Sequence, residues 1–190
     1  MGGMVRTFVA VEVSALVQTR AMQLIGRLRS PESHVNWVER KNLHLTLKFL
    51  GDVPTLEMAA VCRTVVKVAA QRTPFEIAIQ GAGAFPQVRR PRVVWLGVGE
   101  GSDPLRALHQ AIDEALRPLG HRGDSRPFKP HLTLGYVREG SAMSGLASSI
   151  LEAAEFEAGT SDVTEVIVMA SHPDAGGPRY EVLARCPLKG

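Results

Sequence analysis

His44-Leu45-Thr46-Leu47 reads HLTL, and His131-Leu132-Thr133-Leu134 repeats it letter for letter. Histidine is scarce in this chain, with six in 190 residues, so two of the six fall in identical tetrapeptides. Each copy sits in an apolar run with strand composition, NLHLTLKFLG (42–51) and PHLTLGYV (130–137), and each lies between two helix-like segments. In a strand, residues i and i+2 share a face. His44 and Thr46 therefore point one way and Leu45 and Leu47 the other, and the second copy repeats the division. Each tetrapeptide is then an amphipathic strand that buries leucine and leaves an imidazole and a hydroxyl to line something else. Two equivalent strands in one chain point to an internal duplication whose halves share a centre.

The rest of the chain fits that scheme. VRTFVAVEV (5–13) alternates as a strand, and Ser14 can cap a helix running to Leu28. A second helix is expected from Pro54, with Glu57 in its first turn, to Ala70. PFEIAIQGAGAF (74–85) and PRVVWLGVG (91–99) read as strands joined by the turn-rich PQVRRP. SDPLRALHQAIDEALRPLG (102–120) is a helix with Ser102 or Asp103 as cap, Pro104 in the first turn and Gly120 as stop. The loop-like GHRGDSRPFKP (120–130) leads into the second HLTL. A helix over 141–154 and strands over 162–171 and 179–188 close the chain, with one more short strand expected near EFEAG (155–159). The order is β-α-β-α-β-β-α-β-α-β-β, with no low-complexity linker, so residues 1–190 are read as a single domain.

Composition narrows the class. Apolar residues make up 45% and charged residues 22%, as in an ordinary globular protein. The net charge of +3 suits an anionic ligand but is far from that of a polyanion-binding tail. No stretch approaches 18 uninterrupted apolar residues, so no transmembrane helix is expected, and no membrane is expected among the partners. The start MGGMVRTFVAVEVSA alternates and contains Glu12, which argues against a secretory signal. Cys62 and Cys186 belong to no metal or redox motif and are expected to be free thiols in a cytoplasmic protein.

Two imidazoles and two hydroxyls on facing strands suit phosphodiester chemistry. Imidazole titrates near neutrality, so one ring can accept a proton while the other donates one. The hydroxyls can donate hydrogen bonds to the non-bridging oxygens. Such chemistry needs no metal when the leaving group is a ribose hydroxyl released from a strained ring. No HExxH, cysteine cluster or compact carboxylate set indicates a metal site, and no cofactor motif is present: GAGAF lacks the spacing of a dinucleotide fingerprint. The residues alone do not say which histidine is acid and which is base.

The paired tetrapeptides resemble those of the 2H phosphoesterases, a family named for two His-x-Thr motifs. The likeness extends over RTFVAVEV, LHLTLKFLGDV, PRVVWLGV and RPFKPHLTLGYVR, nearly the whole chain, and is nearest to the RNA 2′,3′-cyclic phosphodiesterases, also called 2′-5′ RNA ligases. It implies an α+β fold that is bilobal with a pseudo-two-fold, in which two antiparallel sheets line a central cleft and the helices pack outside. It implies metal-independent hydrolysis of RNA 2′,3′-cyclic phosphate ends, or of small cyclic nucleotides, to 2′-phosphates, with His44 as proton donor and His131 as acceptor. Two other readings remain: 2′-5′ ligation on the same histidines, and a non-catalytic RNA- or nucleotide-binding module. No protein partner is implied.

Around the motifs, Thr46 and Thr133 are expected to bind substrate. Some members carry an arginine five residues after the second histidine; here Tyr136 stands there and Arg138 is the nearest arginine, so both are kept as substrate-binding candidates. On a regular strand both would face away from His131. Lys48 shares the parity of His44 and Thr46 and is a candidate for an RNA phosphate, whereas Phe49 has the parity of the leucines and is expected in the core. QVRRPR (87–92) reads as a charged turn, and Trp37 and Trp95 as packing residues.

Overall fold

The computed structural model describes residues 3–30, 34–123, 127–138, 143–175 and 177–190. Ser141 and Ala142, expected at the start of the fourth helix, and Asp124 to Arg126 of the loop stretch lie outside the described residues.

Among the described residues nine strands form two antiparallel sheets. β1 (Met4–Glu12), β3 (His44–Pro54), β8 (Glu165–His172) and β9 (Arg179–Pro187) form the first, in the order β3-β1-β8-β9. β2 (Val35–Trp37), β4 (Phe75–Gln87), β5 (Arg90–Val98), β6 (His131–Val137) and β7 (Glu157–Val163) form the second, in the order β2-β6-β5-β4-β7. The α-helices of the described residues are α1 (Ala15–Leu28), α2 (Met58–Ala69), α3 (Ser102–Leu116) and α4 (Met143–Glu152). α2 packs on β8, β9 and α3 behind the first sheet, and α1 and α4 pack behind the second.

The expected α+β class and antiparallel sheets hold. Ser14 caps α1 as expected, its hydroxyl accepting from the Val17 amide at 3.2 Å. Three details differ. β2 is an unexpected edge strand, which pairs with the second HLTL strand. Pro54 ends β3 and does not open α2, because Met4 of β1 pairs opposite it and Thr55 continues the contact through its amide and hydroxyl to the Gly3 carbonyl. Gly101, with φ 78°, precedes α3 in place of a side-chain cap.

The duplication is visible in the register. Along β1 and β3, Phe8, Val9, Ala10, Val11 and Glu12 stand opposite Phe49, Lys48, Thr46, Leu45 and His44. Along β5 and β6, Val93, Val94, Trp95, Leu96 and Gly97 stand opposite Tyr136, Gly135, Thr133, Leu132 and His131. The two ladders match residue for residue, and each skips one residue, Leu47 and Leu134. This is a β-bulge at the same step of both motif strands, and beyond it the side-chain alternation inverts. The main core covers the helix-facing sides of both sheets, including Leu45, Leu47, Leu132 and Leu134. A second, smaller cluster of Phe8, Ala10, Ile167 and Met169, with Tyr180 against it, forms the opposite face of the first sheet.

Candidate active site

The two motif strands approach each other between the sheets. There an open cleft of about 2770 Å³ is lined by His44, Thr46, His131 and Thr133 together. Both motif leucine pairs are buried behind, as the parity of the tetrapeptides requires.

Each imidazole is held in the same way. The Nδ1–H of His44 donates to the Asn42 carbonyl at 2.7 Å, and the Nδ1–H of His131 donates to the Lys129 carbonyl at 2.6 Å. A carbonyl only accepts, so Nδ1 carries a proton in both rings and Nε2 is the nitrogen that can exchange one. The Nε2 of His44 lies 3.1 Å from the Thr46 hydroxyl. Phe8 stacks on the His44 ring at 4.9 Å, and Tyr180 meets it edge-on at 5.2 Å. Phe85 meets His131 edge-on at 5.0 Å, with Trp95 at 6.4 Å. Burial among these rings pushes both histidines below their ordinary value, and the carbonyl hydrogen bonds only partly offset it.

The matching bulges decide what else faces the cleft. Beyond Leu47 the expected parity inverts: Lys48 is 1% exposed and Phe49 is 64% exposed. The expectations for these two residues are therefore both overturned. Phe49 lines the cleft, whereas the Lys48 ammonium points to the helix side and binds Asp113 of α3 at 2.6 Å. Lys48 cannot reach a substrate phosphate from there. The bulge at Leu134 brings Tyr136 to the cleft wall in the same manner, 51% exposed. Arg138 also lines the cleft, as do Arg90 and Arg92 from the stretch read as a charged turn. Trp95 packs over Gly83, where a Cβ would fall 2.3 Å from the indole. The second glycine of GAGAF thus makes room for a ring beside His131.

Reasoning from the sequence missed Phe8, Tyr180, Phe85 and the Asn42 and Lys129 carbonyls. Phe8 was open to detection, since it alternates with Val9 and Val11 on β1. Tyr180 and Phe85 reach the histidines only through strand pairing across the sheets. Among the described residues no group of three His, Cys, Asp or Glu side chains is placed to share a metal ion, and no helix is long and apolar enough to cross a membrane.

Comparison with known proteins gives the family of this chain. An RNA 2′,3′-cyclic phosphodiesterase of Methanothermobacter thermautotrophicus is 36% identical over 176 residues, which covers 93% of this chain and 95% of the relative. That of Archaeoglobus fulgidus is 41% identical over 133 residues, 70% of this chain and 73% of its own. The crystal structure of Escherichia coli LigT complexed with 3′-AMP superposes with a TM-score of 0.80 at 27% identity, over 98% of this chain and 99% of that one. The family model of the 2′-5′ RNA ligase superfamily matches residues 17–175. With a match over most of its length, and two HLTL strands built to one plan, this chain belongs to the 2′-5′ RNA ligase superfamily.

Proposed function

We propose that this protein is an RNA 2′,3′-cyclic phosphodiesterase that opens the cyclic end to a 2′-phosphate by acid–base catalysis with two histidines. The observation that carries this reading is the duplicated histidine geometry: two imidazoles in one cleft, each with Nδ1–H held by a carbonyl two residues earlier and Nε2 left for proton exchange. Water attacks phosphorus as His131 Nε2 takes its proton, and the bond to O3′ breaks as His44 Nε2–H protonates that oxygen. The products are a 2′-phosphate and a 3′-hydroxyl, and the histidines end with their protonation states exchanged. Thr46 and Thr133 donate to the non-bridging oxygens, where negative charge builds in the transition state. No step calls for a metal.

His44 must be protonated to act, yet burial disfavours its charged form. The phosphodiester anion supplies the compensating charge, so substrate binding itself raises the His44 pKa and arms the acid. Arg90, Arg92 and Arg138 along the cleft, with Phe49 and Tyr136 on its walls, suit a single RNA strand, which needs cations for phosphates and aromatic faces for bases. The relatives' names and the 3′-AMP complex of LigT point to the same class of ligand.

The test is incubation of an oligoribonucleotide ending in a 2′,3′-cyclic phosphate in EDTA, with identification of the product end. A 2′-phosphate is expected. A 3′-phosphate, or turnover only after a divalent metal is added, would overturn the reading. A 2′-5′-linked product that grows with the concentration of RNA ends would assign ligation instead.

A further inference from the structure

Lys48 directly follows the first motif, and the fold buries its charge. That position is costly unless the ammonium is fully paired. Here Nζ donates to Asp113 Oδ1 at 2.6 Å and to the Arg122 carbonyl at 3.0 Å. The other Asp113 oxygen accepts from Arg117 Nε at 3.1 Å and Nη2 at 2.7 Å. Burial alone would raise the Asp113 pKa, but these cations outweigh it and hold the carboxyl below its ordinary value, ionised. An unbulged strand would instead put Lys48 in the solvated cleft and Phe49 in the core, each in a medium that suits its chemistry. A second irregularity between Thr7 and Phe8 skips Leu50, so the side-chain alternation of the motif returns from Gly51 onward and the paired residues on the inverted course are Lys48 and Phe49.

We propose that the Lys48–Asp113 ion pair selects the bulged course of β3 and thereby keeps Phe49 on the cleft wall. Lys48 and Asp113 are positioning residues and touch no substrate. The second motif strand supports the assignment by contrast. There the residue in the place of Lys48 is Gly135, which has no side chain to prefer either face. A Cβ on it would fall 2.7 Å from Val35 and 2.8 Å from Trp37, both on β2. The same bulge is thus specified by an ion pair in one half and by a glycine under an edge strand in the other. The Lys48 bond to the Arg122 carbonyl also ties the first bulge to the segment that leads into the second motif.

The two partners are not equivalent, and this makes the proposal testable. Removing the carboxylate leaves an unpaired buried ammonium, which escapes by moving to the cleft and drawing Phe49 inward. Replacing the ammonium by an apolar side chain leaves the bulge favourable. Phe49→Trp serves as reporter, with acrylamide quenching corrected by the same backgrounds lacking it. Asp113→Leu is expected to shift the emission of the reporter indole to the blue and to abolish most of its quenching. Lys48→Met, alone or combined with Asp113→Leu, is expected to keep that indole exposed. If Asp113→Leu does not fold, Asp113→Asn, which keeps the shape and loses only the charge, replaces it. An exposed reporter in the Asp113 variant, or a buried one in Lys48→Met, would overturn the proposal. A second arm rests on the reading of the activity: with Phe49 intact, Asp113→Asn should raise KM for the cyclic-phosphate oligonucleotide by roughly tenfold, the scale of losing one base-stacking face. Because His44 and Thr46 precede the bulge, kcat should be little changed. A fall in kcat at constant KM would point to general destabilisation of the site and against the proposal. The fluorescence arm requires no turnover, so a failed activity assignment leaves it readable.

Discussion

His44 holds its Nδ1 proton on the carbonyl of Asn42 at 2.7 Å, and so presents Nε2 to the cleft. His131 is oriented identically by Lys129. Each ring is committed to one exchanging nitrogen, Nε2. His44→Ala and His131→Ala should each lower kcat by about 10²-fold or more, the ordinary scale of a general acid or base. The double variant should be little worse than the poorer single one, because groups acting as a unit are not additive. Thr46→Val and Thr133→Val should cost roughly tenfold each, as the loss of one hydrogen-bond donor. Single-turnover rates on a cyclic-phosphate oligonucleotide decide these points, and a near-normal rate for His131→Ala would remove it as the base.

Burial lowers both histidine pKa values from 6.5, and this fixes the sense of the pH dependence. On the proposed mechanism, His44 as acid loses activity as pH rises through its pKa, and His131 as base loses it as pH falls through its own. The profile of kcat/KM, which reports the free protein, should be a bell with both limbs below 6.5, belonging to the coupled pair. In the profile of kcat the alkaline limb should move to higher pH, because the bound phosphodiester anion stabilises protonated His44. Coincident alkaline limbs in the two profiles would contradict the arming of His44 by substrate.

The same depression makes stability pH-dependent. Below pH 6.5 the unfolded chain protonates these two rings, while the folded chain resists until its lower values are reached. Their contribution is present above 6.5 and is lost as pH falls through the folded values. Urea midpoints should decline over that window, and a His44→Gln, His131→Gln protein should show a shallower decline. An unchanged slope would locate the acid sensitivity elsewhere.

Gly83 carries a packing constraint that bears on the site. Gly83→Ala would put a methyl 2.3 Å from the Trp95 ring, which then has to leave its place beside His131. Overpacking of this kind costs about 1–3 kcal/mol. The urea midpoint should fall, and kcat should fall with it in protein that remains folded.

Arg90 and Arg92 line the cleft on β5, beyond Val93, which stands opposite Tyr136. Gly97 of the same strand stands opposite His131, so Arg92 lies five residues further along, ~16 Å at ~3.3 Å per residue. That distance reaches the body of an RNA strand and not its terminal phosphate. Arg90→Gln with Arg92→Gln should raise KM for an oligonucleotide and reduce its salt dependence by a slope of about 0.7 for each lost phosphate contact. KM for a 2′,3′-cyclic mononucleotide should not change.

Much of this was legible in the sequence because it depends on local rules. The period-2 pattern of HLTL determined which side chains of each tetrapeptide face together, and its repetition determined that two such strands exist. Ser14 capped its helix because a cap needs only its own first turn. What lay beyond local rules was the side-chain direction after each motif. A bulge is a property of two paired strands, so no pattern in residues 44–49 alone reveals that Leu47 is skipped opposite Val9 and Ala10. From that one skipped residue follow the burial of Lys48, the exposure of Phe49 and, in the other half, the turn of Tyr136 into the cleft. The ring contacts on each histidine likewise need partners from distant strands, Tyr180 for His44 and Phe85 for His131. The sequence by itself determined the reacting groups and their spacing along each strand. Only the tertiary structure decided what surrounds them, because register, bulges and burial are set by pairing between segments far apart in the chain.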